Sequence, residues 1–492
     1  MASVKGFMAL AGAAAVGAAW LRVRPPRPLP IVPLPRALSQ RPADGKKRVV
    51  VLGAGFAGLA FAHALQDELH GIPMEDVERV IIDRNNYHLF TPLLYQVATC
   101  GVGPWHIVEP VRRIVQPEGW GFWEGAAQSI DFEQRTLHLD NGSIPYDELV
   151  IATGSTTNFF GNDEIRQHVL PLKGVREGVA IRDTVIAALE RASHTDDPEE
   201  RQRALRFVIV GGGATGVETA CALADLCENV VPSDYPTLSR AEVHVVVIES
   251  AGKLLEHMAE PMPRLAQQAM ERKHIEVCYN RRADHVTART VHLSDGTTLE
   301  AETIIWTAGV RASDFAHDLP LEKGKGDAIL VDRFLRVREH PEVYAIGDNA
   351  HVDDPAFHAQ VPLLAQSAIQ MGECAAANVA SDVRGGPRAP FVYRELGNSI
   401  ALGRFDGATQ VAGYTLGGLL GWAGWRVIHL VRITMFRKRL EVLLDWSLGW
   451  ADHEDIADLR LTAQDSPAPP RPRRRAPAAS RQADATGTST AP

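Results

Sequence analysis

Residues 48–65 read RVVVLGAGFAGLAFAHAL, and residues 206–223 read RFVIVGGGATGVETACAL. Each is a short β-branched run, then a glycine-rich turn, then residues with the apolar spacing of a helix. In the first, Gly53, Gly55 and Gly58 form GxGxxG, and RVIIDR supplies a second strand that ends at Asp83. Glycines at this spacing let the backbone turn tightly and approach a pyrophosphate at the helix N-terminus. The carboxylate at the strand end can accept hydrogen bonds from ribose hydroxyls. Gly211, Gly213 and Gly216 repeat the arrangement in the second stretch, and EVHVVVIES places Glu249 at the matching strand end after the longer connection ENVVPSDYPTLSRA. A carboxylate there repels a 2′-phosphate and no basic residue directly follows it, which favours NADH over NADPH.

The duplication extends beyond the loops. RTLHLDNGSIPYDELVIATG, from Arg135 to Gly154, is echoed by RTVHLSDGTTLEAETIIWTAG, from Arg289 to Gly309. Each echo carries a hairpin signal, Asn141-Gly142 and Asp295-Gly296, before a buried strand and a glycine. The pattern predicts an α/β fold with two Rossmann-like dinucleotide-binding domains. Two such sites in one chain suggest electron transfer between two cofactors, with a nicotinamide handing hydride to a flavin.

Composition bounds the remainder. The 492 residues are 45% hydrophobic and 23% charged, enough to bury a large core. A net charge of −9 lacks the concentrated basic face that phosphate neutralisation needs, so no nucleic-acid partner is expected. Five scattered cysteines without CxxC or ligand spacing predict free thiols and no metal site. At the N-terminus an uncharged run from Gly6 to Leu21 falls short of the roughly 20 residues a spanning helix needs. Arg22, Arg24 and Arg27 follow it and only Lys5 precedes it, so insertion would leave the body on the cytoplasmic side. A cleaved signal or transit peptide is the alternative. Recurrent prolines from Arg24 to Lys47 favour an extended linker, and the tail from Ser466 lacks the apolar residues needed for packing.

A third element, EVYAIGDNA, runs into Gly347 and Asp348 after the second unit has closed. It resembles the stretch of two-dinucleotide flavoproteins that returns to the first domain and contacts the flavin's ribityl and phosphate region, which implies FAD in the first copy and NADH in the second. With DRNNYHLFTPLLYQVATCGVGP, WTAGVRAS and AQSAIQ also in place, residues from about Arg48 to Trp450 resemble the type II NADH dehydrogenases, single-subunit NADH:quinone oxidoreductases that pump no protons. The resemblance implies an NAD domain inserted in an FAD domain. The expected divisions are 1–47 for the apolar segment and linker, 48–165 for the first part of the FAD domain, and 166–302 for the NADH domain. The FAD domain resumes over 303–395, a membrane-associated region spans 396–460, and a tail spans 461–492.

The same resemblance implies roles for particular residues. The AQxxxQ helix would begin at Ala365 against the flavin, with Gln366 contacting the ring and Gln370 facing a quinone carbonyl; an amide can donate there without bringing charge into an apolar tunnel. Without the resemblance, the two amides could equally be satisfying buried backbone. Glu218 would lie close to nicotinamide, flavin and quinone, although a carboxylate in a helix's first turn also gains from the helix dipole alone. Pro92 of TPLL would fix a loop near the ring edge, and Gly154 and Gly309 would close the two units. In the C-terminal segment, Trp422, Trp425, Trp446 and Trp450 accompany Arg426, Arg432, Arg437, Lys438 and Arg439, the composition of a surface seated at the lipid headgroups. A core helix with a basic edge is the alternative. The implied partners are a membrane quinone and the cytoplasmic face of the inner (cell) membrane, with a homodimer possible.

Rival readings differ in testable features. A sulfide:quinone oxidoreductase uses a redox pair of cysteines near the flavin, and 154–211 and 306–370 contain none. An NADPH-linked quinone reductase and a non-catalytic flavin-binding membrane scaffold stay open at this stage.

Overall fold

In a computed structural model, residues 41–42, 46–69, 77–354, 359–451 and 456–457 are described. The expectations for the Gly6–Leu21 run, for most of the proline-rich linker and for the tail fall outside those residues.

The chain opens with strand β1 (Lys47–Leu52), helix α1 (Phe56–Glu68) and strand β2 (Val77–Asp83), then adds β3 (Gly121–Glu124) and β4 (Glu148–Ile151). It leaves to build a second sheet from β5 (Leu170–Pro171), β6 (Arg206–Val210), β7 (His244–Ile248), β8 (Glu276–Cys278) and β9 (Thr303–Trp306). Then it returns with β10 (Arg336–Val337) and β11 (His340–Ala345), giving a first sheet of order β10-β11-β4-β1-β2-β3. The second sheet has order β5-β9-β6-β7-β8, and all of its pairings are parallel. Val49, Val50 and Val51 in one sheet and Phe207, Val208 and Ile209 in the other are wholly buried. Burial on both faces of a parallel sheet explains why these strands are unbroken apolar runs and do not alternate.

Both hairpin signals lie in three-stranded antiparallel sheets, spanning 127–145 and 283–300. Beyond each echo the chain forms a short strand, Ser155–Thr157 and Val310–Ala312, and these two pair with each other antiparallel. The strands that follow the duplicated segments thus make a two-stranded joint where the chain crosses between the sheets.

Helix α2 (Val175–His194) and helix α3 (Ala214–Asp234) cover the second sheet, and helix α4 (Ala365–Arg384) lies across α1. Small residues allow that crossing. A Cβ on Gly372 would stand 2.5 Å from the Ala57 carbonyl oxygen and 2.8 Å from the Phe61 nitrogen.

The C-terminal region is a small antiparallel sheet, β12 (Ser399–Gly403), β13 (Asp406–Val411) and β14 (Tyr414–Gly417), followed by α5 (Gly418–Arg432) and α6 (Phe436–Ala451). Here the structure corrects the tryptophan reading. Trp422, Trp425 and Trp446 are 8%, 1% and 4% exposed and belong to the core, not to an outer surface. Spacings of three and four put Trp422 with Trp425, and Val442 with Trp446, on inward helix faces. Leu419, Leu420, Val427, Phe436, Leu440, Leu443, Leu444 and Leu448 are the large exposed apolar residues of these helices. Among the described residues no helix is long and apolar enough to cross a membrane.

Candidate functional site

Each glycine loop is shaped by close approach. Gly53 has φ +115°, and a Cβ there would sit 2.2 Å from the Ala152 carbonyl oxygen; one on Gly58 would sit 1.9 Å from the Gly53 oxygen. In the second copy Gly211 has φ +109°, and a Cβ on Gly216 would come within 1.8 Å of the Gly211 oxygen. Those four positions exclude a side chain because the protein itself is in the way. Gly55 and Gly213 differ, since a Cβ on either would meet no protein atom within 4 Å. They are the N-caps of α1 and α3, and neither helix start has a side-chain cap. Two helix N-termini are therefore left with amides facing outward through a glycine, which suits a pyrophosphate.

The strand-end acids are held identically. Asp83 Oδ2 accepts from the Ala54 amide at 2.8 Å, and Glu249 Oε2 accepts from the Gly212 amide at 2.6 Å. Each also accepts from the backbone two residues on, Asn85 for Asp83 and Ala251 for Glu249. Burial raises the Asp83 pKa, partly offset by the hydrogen bonds from Ala54 and Asn85. The longer connection before Glu249 is taken up by α3, which has 21 residues where α1 has 13.

The Gly347-Asp348 turn comes back to the first loop. Gly347 has φ +74°, and a Cβ on it would press on Ala57 at 3.0 Å. Asn349 accepts from the Gly154 amide and donates to the Ile151 carbonyl. Asp348 Oδ2 accepts from the Ser155 hydroxyl at 2.5 Å, and Lys173 Nζ donates to Ser155 Oγ at 2.7 Å while lying 3.8 Å from Asp348. Ser155, Lys173 and Asn349 were not legible as site residues: Ser155 follows a recognised glycine, and Lys173 stands alone before a helix. Gly309 has φ +157° and its carbonyl accepts from Asn158 at the joint between the domains. Pro92 lies in a single turn, Thr91–Leu93, and the following Leu94 packs on α2 at Gly178, where a Cβ would meet it at 3.0 Å.

Gln366, Gln370 and Glu218 are brought onto one extended segment. Gln370 both accepts from and donates to the Arg394 backbone at 2.9 Å. Gln366, itself buried, accepts from the Leu396 amide and donates to the Gly397 carbonyl. Glu218 Oε1 accepts from the Ala401 amide at 3.0 Å and from the Trp425 indole at 3.2 Å. From residue 394 to 401 an extended chain spans at most about 23 Å. Ala365 begins α4, one residue before the first amide. Glu218 keeps some accessible surface, yet its carboxyl lies deep enough that burial lifts its pKa to about 8, against the lowering effect of the Ala401 and Trp425 bonds.

Trp425 also stacks on His429, with centroids 4.2 Å apart, and meets Tyr95 edge to face. Burial drops the His429 pKa to about 4, so this ring is neutral. The Trp446 indole donates to Gln96, whose amide donates to the Tyr95 hydroxyl. The aromatic cluster thus closes over Glu218 from the C-terminal side. Cys221 and Cys227 lie in the adjoining core, where burial pushes both thiols up, so neither is a ready nucleophile.

A family model described as pyridine nucleotide-disulphide oxidoreductase matches residues 47–372. The type II NADH:quinone oxidoreductase NdhA of Mycobacterium tuberculosis is 30% identical over 425 residues, 82% of this chain and 87% of that protein. The chain belongs to the type II NADH:quinone oxidoreductase family. Within it, the internal alternative NAD(P)H-ubiquinone oxidoreductase of Solanum tuberosum mitochondria is a more distant relative, 28% identical over 84% of this chain and 88% of that protein. The fold of this type II oxidoreductase superposes on NDH2 from Plasmodium falciparum in complex with NADH with a TM-score of 0.75. The two are 18% identical over 84% of this chain and 100% of that one. The sulfide:quinone oxidoreductase of Aquifex aeolicus shares the architecture less closely, with a TM-score of 0.64 and 18% identity over 80% of this chain and 92% of that one.

Proposed function

We infer that this chain oxidises NADH and reduces a membrane quinone, with FAD as the resident cofactor of the first domain. The observation that carries the reading is the pair of matched cradles, each an uncapped helix start with an open glycine and a clamped acid. When bound, a flavin supplies a hydride acceptor for nicotinamide and a two-electron donor for quinone. Gly53, Gly55, Gly58, Asp83, Gly154, Gly347 and Asp348 would hold it, with Pro92 and Ala365 beside it. Gly211, Gly213, Gly216, Glu249 and Gly309 would hold NADH.

The chain's own residues then orient substrates and manage protons. With its pKa near 8, Glu218 keeps a proton at neutral pH. Both of its donors fall on Oε1, which leaves Oε2 to carry that proton. An amide has two donors and two acceptor sites. Gln366 and Gln370 each use one of each on the backbone, so each keeps one donor for a carbonyl oxygen. The exposed leucines of α5 and α6 would rest on the bilayer, and Arg22, Arg24 and Arg27 favour its cytoplasmic side. A homodimer through these helices would cover the same leucines.

Steady-state assays with NADH or NADPH against a short-chain ubiquinone and a menaquinone test the reading: turnover with NADH and either quinone is expected, and none with any pair would overturn it. Glu249→Gln keeps an acceptor for the Gly212 amide but removes the charge that repels a 2′-phosphate. The ratio of kcat/KM for NADPH to that for NADH should rise roughly tenfold or more. Gln370→Ala should raise the quinone KM by about tenfold, one hydrogen bond's worth, with flavin reduction by NADH unchanged. Equal loss in both half-reactions would show that Gln370 serves only to tether Arg394.

A further inference from the structure

Beside the exposed leucines lies a cavity of about 320 Å³, lined by Tyr87, Trp105 and Arg113 on one side and by Met435 and the first turn of α6, Arg437 and Lys438, on the other. It falls at the lower end of the range for small-ligand pockets. At 100° per residue, Phe436, Leu440, Leu443, Leu444 and Leu448 share the outer face of α6 with Arg437, and Glu441 and then Lys438 follow at its flank. The cavity therefore opens along the border between apolar surface and protein body.

Its charges are unbalanced. Glu441 is the acid bonded to these cations, accepting from Arg437 Nε at 2.6 Å and from Lys438 Nζ at 2.8 Å. Lys438 also donates to the Trp105 carbonyl, and one of its three N–H groups remains. The two terminal amino groups of Arg437 and the whole Arg113 guanidinium have no hydrogen-bond partner among the described residues. Three cations, Arg113, Arg437 and Lys438, line a space rimmed by Trp105, which is 69% exposed.

We propose that this cavity binds the phosphate of an anionic lipid headgroup, with the lipid's acyl chains lying along the leucine face of α6. The proposal rests on the reading of that face as bilayer-seated and names the lipid class it selects. Arginine matches phosphate bidentately, tryptophan favours the headgroup level, and the adjoining leucines suit the chains of the same molecule. A soluble phosphate would use the cations but gain nothing from the leucines.

The test is flotation of the full-length protein with vesicles of phosphatidylcholine, with or without phosphatidylglycerol. The parent protein should bind the anionic vesicles more tightly. Arg113→Ala/Arg437→Ala should lose about fivefold per cation, roughly 30-fold together, on anionic vesicles, and change little on phosphatidylcholine. Arg282→Ala/Arg289→Ala removes the same charge from the start and first turn of the antiparallel sheet over 283–300 and should retain most of the preference. NADH oxidation with a water-soluble quinone should be unchanged in both pairs, which reports that each is folded. Equal losses in the two pairs would reduce the effect to net charge and overturn the cavity assignment. Inorganic phosphate displacing the protein better than chloride at matched ionic strength would mean a free-phosphate site and overturn it too. No flotation with either vesicle would sink the bilayer reading itself, an outcome distinct from a double variant that floats like its parent.

Discussion

Glu218→Gln is expected to slow quinone reduction by roughly 100-fold, the lower range for loss of a positioned acid, while flavin reduction by NADH stays within about threefold. The variant preserves the acceptor that holds the Ala401 amide and the Trp425 indole, so geometry survives and only the proton is lost. The parent's rate should fall as pH rises through about 8, where the carboxyl ionises, and the variant should lack that limb. The same residue sets a stability dependence. Its folded pKa, about 8, lies above the ordinary value of 4.5, so between those values the folded state binds more protons than the unfolded. Stability contributed by the protonated acid is complete below about 4.5 and is lost as pH rises through 8. Glu218→Gln should therefore hold its melting temperature better than the parent above pH 8. If the variant melts and turns over like the parent at every pH, Glu218 has no protonic role.

Gly58→Val and Gly55→Val should separate steric from binding roles in one loop. At Gly58 the first added carbon would overlap the Gly53 oxygen at 1.9 Å, so α1 must shift from β1 and the protein should emerge colourless and strongly destabilised. At Gly55 the added carbon meets no protein atom within 4 Å. Gly55→Val should fold with a nearly unchanged far-ultraviolet spectrum, yet hold flavin at least 100-fold more weakly, because the side chain occupies the approach to the uncapped helix start. Full flavin retention in a folded Gly55→Val protein would place the pyrophosphate elsewhere.

The duplication was readable because both copies obey the same steric rule: a backbone that passes within about 2 Å of a Cβ position tolerates only glycine. The strand-end acids followed from the same pattern. Three features were less accessible. Helices α5 and α6 are apolar on two faces, so composition alone could not say whether the tryptophans or the leucines pack inward; the spacing of Trp422 and Trp425 and of Val442 and Trp446 carried that information. The contact of Trp425 with Glu218 joins residues distant in sequence, with no local signal at either end. The two glutamines satisfy the backbone at 394–397, the plain role open to them, and that placement still leaves each a donor to spare. Lys173 and Ser155 meet Asp348 only because the chain returns to its first sheet after building the second.

The central claim is that one chain joins a water-soluble reductant to a lipid-soluble oxidant through a single bound flavin. Anaerobic stopped-flow absorbance of the purified yellow protein tests it most directly. Mixing with NADH should bleach the flavin's visible absorbance band, and adding a quinone analogue should restore the band within the turnover time. Protein that is purified without the chromophore, that keeps its colour with NADH, or that bleaches and is not reoxidised by quinone would contradict the account.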